Sequence, residues 1–220
     1  MEKVMKHMRK ALSLLLVLAM VVCFAVPAMA ASPADATVTV YVTTGMFTKG
    51  GINGTTGAQI PQAFSGGDPA SHLLTGYTKV TLDIEDITSE QLTTYRGKYN
   101  APTTLSTDVN VLDAVVAALS IRGFTCAGGW DSYSTPNGGY ISSVSPNGIP
   151  ENHVGTATIN GVNYTKYYGT GWNLAFTQYN EETEAFEYVV PKYYGTRYIV
   201  EDGMTIVFDL SAYELYYPAN

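Results

Sequence analysis

The segment NVLDAVVAALSIRG, residues 110–123, decides the fold class because it contains the clearest helical pattern in the chain. Four apolar residues share one helical face at the spacing i, i+3, i+4, i+7: Leu112, Val115, Val116 and Leu119. Asn110 is a favourable N-cap, Asp113 stands three residues later as in a capping box, and Gly123 is typical of a helix end. The segment therefore predicts one main helix over about residues 110–122.

Strand patterns separated by turn-forming residues lie on both sides of this helix. The predicted strands cover residues 36–42, 79–84, 139–144, 156–159, 162–168, 172–179, 186–190, 196–200 and 205–210. Asn160-Gly161 is a strong hairpin signal between two of them. Residues 44–76 contain eight Gly and two Pro with little periodicity, which indicates a long Gly-rich insertion, either a functional loop or a mobile one. Together these patterns predict an α+β fold with one mixed sheet.

The first thirty residues have the three-part layout of a secretory signal peptide. A basic start is followed by an apolar run over residues 11–26, and Ala28-Met29-Ala30 supplies small residues for cleavage after Ala30. The alternative, a retained membrane anchor, is disfavoured because the run is shorter than the roughly 20 residues that a spanning helix needs. Residues 31–220 are thus expected to form a single secreted domain, with no membrane span after cleavage.

The expected mature chain is acidic and has one cysteine. Removal of residues 1–30 leaves 8 Lys and Arg against 18 Asp and Glu, a net charge of −10. Such a surface repels phosphate backbones, so nucleic acid and anionic membranes are poor partners. Cys126 is then the sole thiol, which excludes an intramolecular disulfide.

The residues offer no strong catalytic or metal-binding constellation. Cys126 and His153 are a conceivable nucleophile and base, but nothing in the local sequence supports that pairing over a small buried thiol. No Gly-x-Ser-x-Gly frame is present, and the two His residues of the expected mature chain, His72 and His153, are too few to indicate a zinc site. Four acidic residues are dense enough to suggest calcium, or else the solvated start of a short helix running to Tyr95: Asp83, Glu85, Asp86 and Glu90.

Aromatic residues are the most informative feature for binding. Eight Tyr and one Trp fall within residues 164–198: Tyr164, Tyr167, Tyr168, Trp172, Tyr179, Tyr188, Tyr193, Tyr194 and Tyr198. Flat side chains with polar tips suit stacking on sugars, peptides or a planar macrocycle, although alternating Tyr also packs a sheet without any ligand. The candidate ligand-binding residues are Tyr140, Tyr168, Trp172 and Tyr194.

Four motifs in order resemble one known family: Asn110-Val-Leu-Asp-Ala114, Gly138-Gly-Tyr-Ile-Ser-Ser-Val144, Gly171-Trp172 and Tyr198-Ile-Val-Glu-Asp-Gly-Met-Thr-Ile-Val-Phe208. These motifs are similar to those of the transcobalamin C-terminal-like domains of bacterial secreted proteins, the domain of unknown function 4430 family. The resemblance implies a β-grasp-like fold in which a helix crosses a small mixed sheet, and it alone implies a corrinoid ligand. The chain differs from the family in the acidic hairpin after Trp172 and in Met204, where members carry Asp.

The sequence thus predicts a secreted, non-catalytic binding module for an unknown extracellular ligand, with no required cofactor. A structural or surface-assembly domain that docks onto an envelope protein is the alternative, and a hydrolase with an unrecognised site is a third. Trp172 is either an exposed platform for the ligand or a core residue. We expect it to pack against the apolar face of the main helix, because one small helix needs a large partner to close its core.

Overall fold

A computed structural model describes residues 35–219; the predicted signal peptide lies outside them. Within these residues the fold is α+β and mostly sheet, with two α-helices, α1 (Ser89–Gly97) and α2 (Val111–Ile121). The strands are β1 (Thr37–Thr44), β2 (Gly51–Ile52), β3 (Gln59–Ile60), β4 (Val80–Asp83), β5 (Thr125–Asp131), β6 (Gly138–Ser145), β7 (Asn152–Ile159), β8 (Val162–Asn180), β9 (Ala185–Val189) and β10 (Thr205–Pro218). The predicted α+β class with a mixed sheet is confirmed.

The main sheet is mixed and has the strand order β4-β1-β10-β8-β7, with β9 also paired to β8. β1 lies inside the sheet between β4 and β10, and its alternate apolar residues Val38, Val40 and Val42 are all buried. β1 runs parallel to β10, with Val40 opposite Ile206, and antiparallel to β4. Two more pairs, β2–β3 and β5–β6, form separate two-stranded sheets.

α2 has the ends and the apolar packing that its sequence predicts. The side chain of Asn110 accepts hydrogen bonds from the amides of Leu112 and Asp113, and the Asp113 carboxylate accepts from the amide of Asn110. This reciprocal capping box satisfies backbone donors that a helix start otherwise leaves free. Residues 111–119 are all buried in the core that the helix shares with β1 and β4.

A buried ion pair joins the two helices. Arg96 of α1 lies 2.9 Å from Asp113 of α2, and the Asp113 side chain is fully buried. Tyr99 donates to the same carboxylate at 2.6 Å, while Arg96 also donates to the carbonyls of Ser106 and Asp108. Burial raises the pKa of Asp113, and the hydrogen bonds from Arg96 and Tyr99 oppose that rise. One carboxylate therefore organises α1, the loop after it and the start of α2.

Residues 45–65, which we call the 45–65 segment, pack onto the main sheet. The segment contains β2 and β3, and it buries Met46 and Phe47 against Ala175 and Val207. It also runs along the edge of β10 beyond the end of β1: the amide of Glu214 donates to Lys49, and Gln59 bonds to Glu214 and Tyr216. Backbone groups on this edge of β10, which have no neighbouring strand of the main sheet, are thereby hydrogen-bonded.

The β7–β8 hairpin turns at Asn160-Gly161, as predicted, and the acidic turn between β8 and β9 lies where predicted. Two strand predictions were wrong. Residues 162–168 and 172–179 belong to one continuous strand, β8, because residues 169–171 stay extended and pair with β10. Residues 196–200 are not a strand of the sheet: residues 195–197 form a 3₁₀ turn, and Tyr198 and Val200 exchange backbone hydrogen bonds with Val111 and Val109 at the start of α2.

Candidate ligand-binding grooves

Two neighbouring grooves lie between β6 and the main sheet, and they share Tyr140, Ile141 and Trp172. The first, which we call the tyrosine groove, has a volume of about 820 Å³. Its aromatic lining comes from β6, β8 and β10: Tyr140, Tyr167, Trp172, Tyr213 and Tyr217. The second, the Tyr194 groove, has a volume of about 520 Å³ and lies between β6, the start of α2 and residues 190–195.

Trp172 is half-buried, lines both grooves where they meet, and is held by contacts with two other residues. Its ring stacks on Phe208 of β10 with centroids 4.3 Å apart and planes within 4°. Its Nε1 donates to the carbonyl of Gly148 at 3.2 Å. A Cβ on Gly148 would lie 2.4 Å from Trp172 Cζ2, so only glycine permits this close approach. The ring packs against the main core as expected, but its stacking partner is Phe208 on the sheet rather than a residue of the helix face.

The tyrosines of the tyrosine groove remain partly exposed on paired strands. Tyr140, Tyr167 and Tyr217 are 45%, 41% and 55% exposed. The rings of Tyr167 and Tyr217 meet edge to face, with centroids 5.7 Å apart. The hydroxyl of Tyr213 donates to Asn152 Oδ1 at 2.7 Å, which links β10 to β7 across the groove. These contacts fix the positions of Tyr167, Tyr213 and Tyr217 on their strands.

Tyr194 is held by a network at the edge of its groove. Its hydroxyl donates to Asp131 at the end of β5, and Ser134 donates to the same carboxylate oxygen. The hydrogen bonds from Ser134 and Tyr194 hold the pKa of Asp131 well below its usual range, and the bond to Asp131 raises the pKa of Tyr194. A Cβ on Gly138 would lie 2.4 Å from Tyr194 Cβ, so β6 fits directly beneath the tyrosine.

Three of the four candidate residues therefore lie along the two grooves: Tyr140, Trp172 and Tyr194. Tyr168 is not among the lining residues of either groove. Its ring lies 5.3 Å from that of His153 and 4.9 Å from Lys166 Nζ. Lys166 in turn pairs with Glu214 at 2.6 Å, next to the 45–65 segment. Tyr168 thus belongs to a charged cluster that ties this segment to the sheet.

Tyr213 and Tyr217 line the tyrosine groove but were not predicted as site residues. The predicted last strand ended at residue 210, whereas β10 continues to Pro218. The signal was present in the alternation of Tyr213, Leu215 and Tyr217, which is a two-residue strand period. Reading that period to the end of the chain would have placed these rings on one strand.

Cys126 and His153 lie in different sheets, on β5 and β7 respectively. Burial raises the pKa of the Cys126 thiol to about 11, and the charge of Lys98 opposes this only in part. An activated nucleophile needs the opposite shift, because the thiolate is the reactive form. His153 instead lies 3.6 Å from Glu151.

The acidic residues considered for calcium are spread over a strand end, a turn and a helix. Asp83 ends β4, Glu85 and Asp86 lie in a 3₁₀ turn, and Glu90 lies in the first turn of α1. The short helix running to Tyr95 is present as α1. Across residues 35–219, no three His, Cys, Asp or Glu side chains are grouped so that they could hold a metal ion.

No family model, curated protein or solved structure matches this chain. Within the described residues, none of the helices is both long enough and apolar enough to cross a membrane.

Proposed function

We propose that this chain is an exported, non-catalytic binding module whose ligand occupies the tyrosine groove. The observation that carries the proposal is the set of partly exposed aromatic rings that line this groove on paired strands. Ligand sites are typically concave and mostly apolar, with a few polar groups that fix orientation. The tyrosine groove has this composition, with Ser142, Asn152, Thr165 and Thr170 among its lining residues.

The pairing of β8 with β10 supports the proposal because it makes the groove rigid. The two strands are paired from Ile206–Phe176 to Pro218–Tyr164 without a shift in register. Tyr167 and Tyr217 project from this ladder, and Trp172 is locked by Phe208 and Gly148. A site that is ordered beforehand loses less conformational entropy on binding.

We also propose that the core is β-grasp-like and of the transcobalamin C-terminal-like type. The support is that α2 packs across a mixed sheet in which β1 and β10, the first and last strands, are parallel neighbours. A corrinoid is then one ligand to test. Titration with cobalamin should shift its visible absorption bands if the tyrosine groove binds it.

A surface-assembly role is the second candidate, and the edge strand β7 favours it. Within the described sheet, β7 pairs only with β8. Its residues, Asn152–Ile159, include no Pro, Lys, Arg, Asp or Glu, and Val154 is 67% exposed. Edge strands usually carry Pro or charged residues, which prevent pairing with another chain. Sedimentation at rising protein concentration tests this role, since strand pairing between chains would produce oligomers.

Binding is tested with a panel of three probes: cobalamin, cellohexaose and an extended uncharged peptide. Calorimetry measures affinity, and fluorescence of the two tryptophans reports changes near the grooves. The variants Tyr167→Ala and Tyr217→Ala should each weaken binding of the probe that the groove accepts. Tyr179→Ala is the matched control, because Tyr179 is 51% exposed on β8 but does not line the groove.

Two results would contradict the proposed function. One is that none of the three probes binds in a saturable way. The other is that a probe binds equally well to the wild type and to both groove variants, since the ligand would then lie elsewhere on the chain.

A further inference from the structure

We infer that the ligand of the tyrosine groove is a neutral oligosaccharide, whose sugar rings stack on Tyr167 and Tyr217. This inference rests on the proposed binding function and names the ligand class for that site. It follows from the charge, the exposure and the free polar atoms of the groove.

Among the described residues that line the tyrosine groove there is no Lys, Arg, His, Asp or Glu. The absence of charge is specific to the groove, because charged side chains lie close by on the same strands: Lys166 and Glu214 adjoin Tyr167 and Leu215 in sequence. A phosphate or carboxylate ligand would meet no cation here, and a cationic ligand would meet no carboxylate. An uncharged ligand matches this lining best.

The exposure of the rings argues against a lipid or another fully apolar ligand. Such a ligand gains affinity by leaving water, which requires a pocket that encloses most of its surface. Tyr140, Tyr167 and Tyr217 are instead 41–55% exposed, so the groove is shallow and open to water. A ligand seated on these rings keeps one side in solvent and must itself be soluble there.

Polar atoms without protein partners lie beside the rings. Asn152 uses Oδ1 to accept from Tyr213, and among the described residues its Nδ2 has no hydrogen-bond partner. In the same part of the chain, the side-chain hydroxyls of Thr165, Tyr167 and Tyr217 also have no partner in the structure. The groove thus presents uncharged donors and acceptors at the margins of flat apolar surfaces.

A pyranose matches that pattern because it has one apolar C–H face and a rim of hydroxyl groups. The face packs on an aromatic ring, while the hydroxyls bond to amide and hydroxyl side chains. An extended peptide would gain most of its affinity from backbone pairing with a strand edge. Tyr167 and Tyr217 lie on β8 and β10, whose backbone groups already pair with each other, so these rings favour the saccharide over the peptide.

The test is calorimetric titration of the chain with cellohexaose, with mannohexaose as a second neutral probe and a galacturonic acid hexamer as the charged counterpart. We expect a neutral hexamer to bind, and the charged hexamer to bind at least tenfold more weakly. Tyr217→Ala should weaken the binding about tenfold, the contribution of one stacked ring. Tyr217→Phe should retain most of the affinity, and Tyr179→Ala should leave it unchanged.

The outcomes separate the ligand class from the function. In one outcome, neither neutral hexamer binds, but cobalamin or the uncharged peptide does, and Tyr167→Ala and Tyr217→Ala weaken that binding. The saccharide inference is then wrong and the binding function stands. If no probe binds, both are wrong. Equal binding of charged and neutral hexamers would also overturn the inference, and unchanged melting temperatures confirm that each variant is folded.

Discussion

Replacing Arg96 with Met would leave the carboxylate of Asp113 buried without its cation. Arg96 makes charge-assisted bonds to Asp113 and donates to two backbone carbonyls, and only 14% of its side chain is exposed. Removing one partner of a buried ion pair costs about 3–5 kcal/mol. That is a large part of the roughly 5–15 kcal/mol by which domains are stable, so the Arg96→Met variant should unfold much more readily than the wild type.

Urea denaturation followed by tryptophan fluorescence measures this loss. With an m-value of about 2 kcal/mol/M, the midpoint of Arg96→Met should fall by about 2 M. The double variant Arg96→Met/Asp113→Asn should be more stable than the single variant, because the stranded charge is gone and Tyr99 keeps an acceptor. Arg197→Met is the control: it removes an exposed arginine that donates to Asn137 but has no buried carboxylate partner, and it should cost about 1 kcal/mol.

The same variant has a predicted pH dependence. Burial already raises the pKa of Asp113, and loss of the guanidinium raises it further. The folded variant then binds a proton that the unfolded chain has released, so its stability should fall as pH rises above about 4, the usual Asp value. The reasoning would be refuted by an Arg96→Met variant as stable as Arg197→Met, or by stability that rises with pH through this range.

Three further predictions concern other parts of the chain. The pKa of Glu214 is lowered to about 2, because hydrogen bonds from Lys166, Lys49 and Tyr216 outweigh the opposing effect of desolvation. The stability that the Glu214 carboxylate adds is therefore present above about pH 4.3 and is lost as the pH falls toward 2. In urea melts, the deficit of Glu214→Gln should therefore be larger at pH 7 than at pH 3, and a constant deficit would contradict this. Gly148→Ala should shift the tryptophan emission and lower the free energy of unfolding by about 1–3 kcal/mol, because the new methyl group would displace the Trp172 ring. Unchanged emission and stability would show that the ring is not held there. Cys126 should react slowly with a disulfide reagent at pH 8 in the folded chain and quickly in denaturant, because burial raises its pKa to about 11; equal rates would show that the thiol is accessible.

The parts of the fold that sequence predicted well are those with local causes. The N-cap of α2, its capping-box partner and the glycine after its end lie within fourteen residues, so this one segment determines where the helix begins and ends. The β7–β8 turn is likewise set by Asn160 and Gly161. The strand predicted over residues 196–200 was wrong because the contacts that decide its structure are remote in sequence. Their backbone partners, Val109 and Val111, lie almost ninety residues earlier, and no local pattern reports them.

The grooves depend on such remote contacts even more. Tyr140, Trp172 and Tyr194 could be selected from the sequence as aromatic residues near turns, but their meeting depends on β6 lying beside the main sheet. Tyr168 differs from Tyr167 by one position, and strand alternation gives neighbours different surroundings. Only the register of β8 against β10 shows which of the two lies in the groove.

Hydroxyl-radical footprinting of the tyrosines tests the central claim, that the tyrosine groove is the binding site, most directly. The chain is oxidised with and without a saturating amount of the panel probe that binds most tightly, and modification of each tyrosine is measured by mass spectrometry. We predict protection of Tyr140, Tyr167 and Tyr217, with no change at Tyr179 or at Tyr133, which is 98% exposed. Unchanged modification of the three groove tyrosines, or protection only at residues outside the groove, would contradict the account.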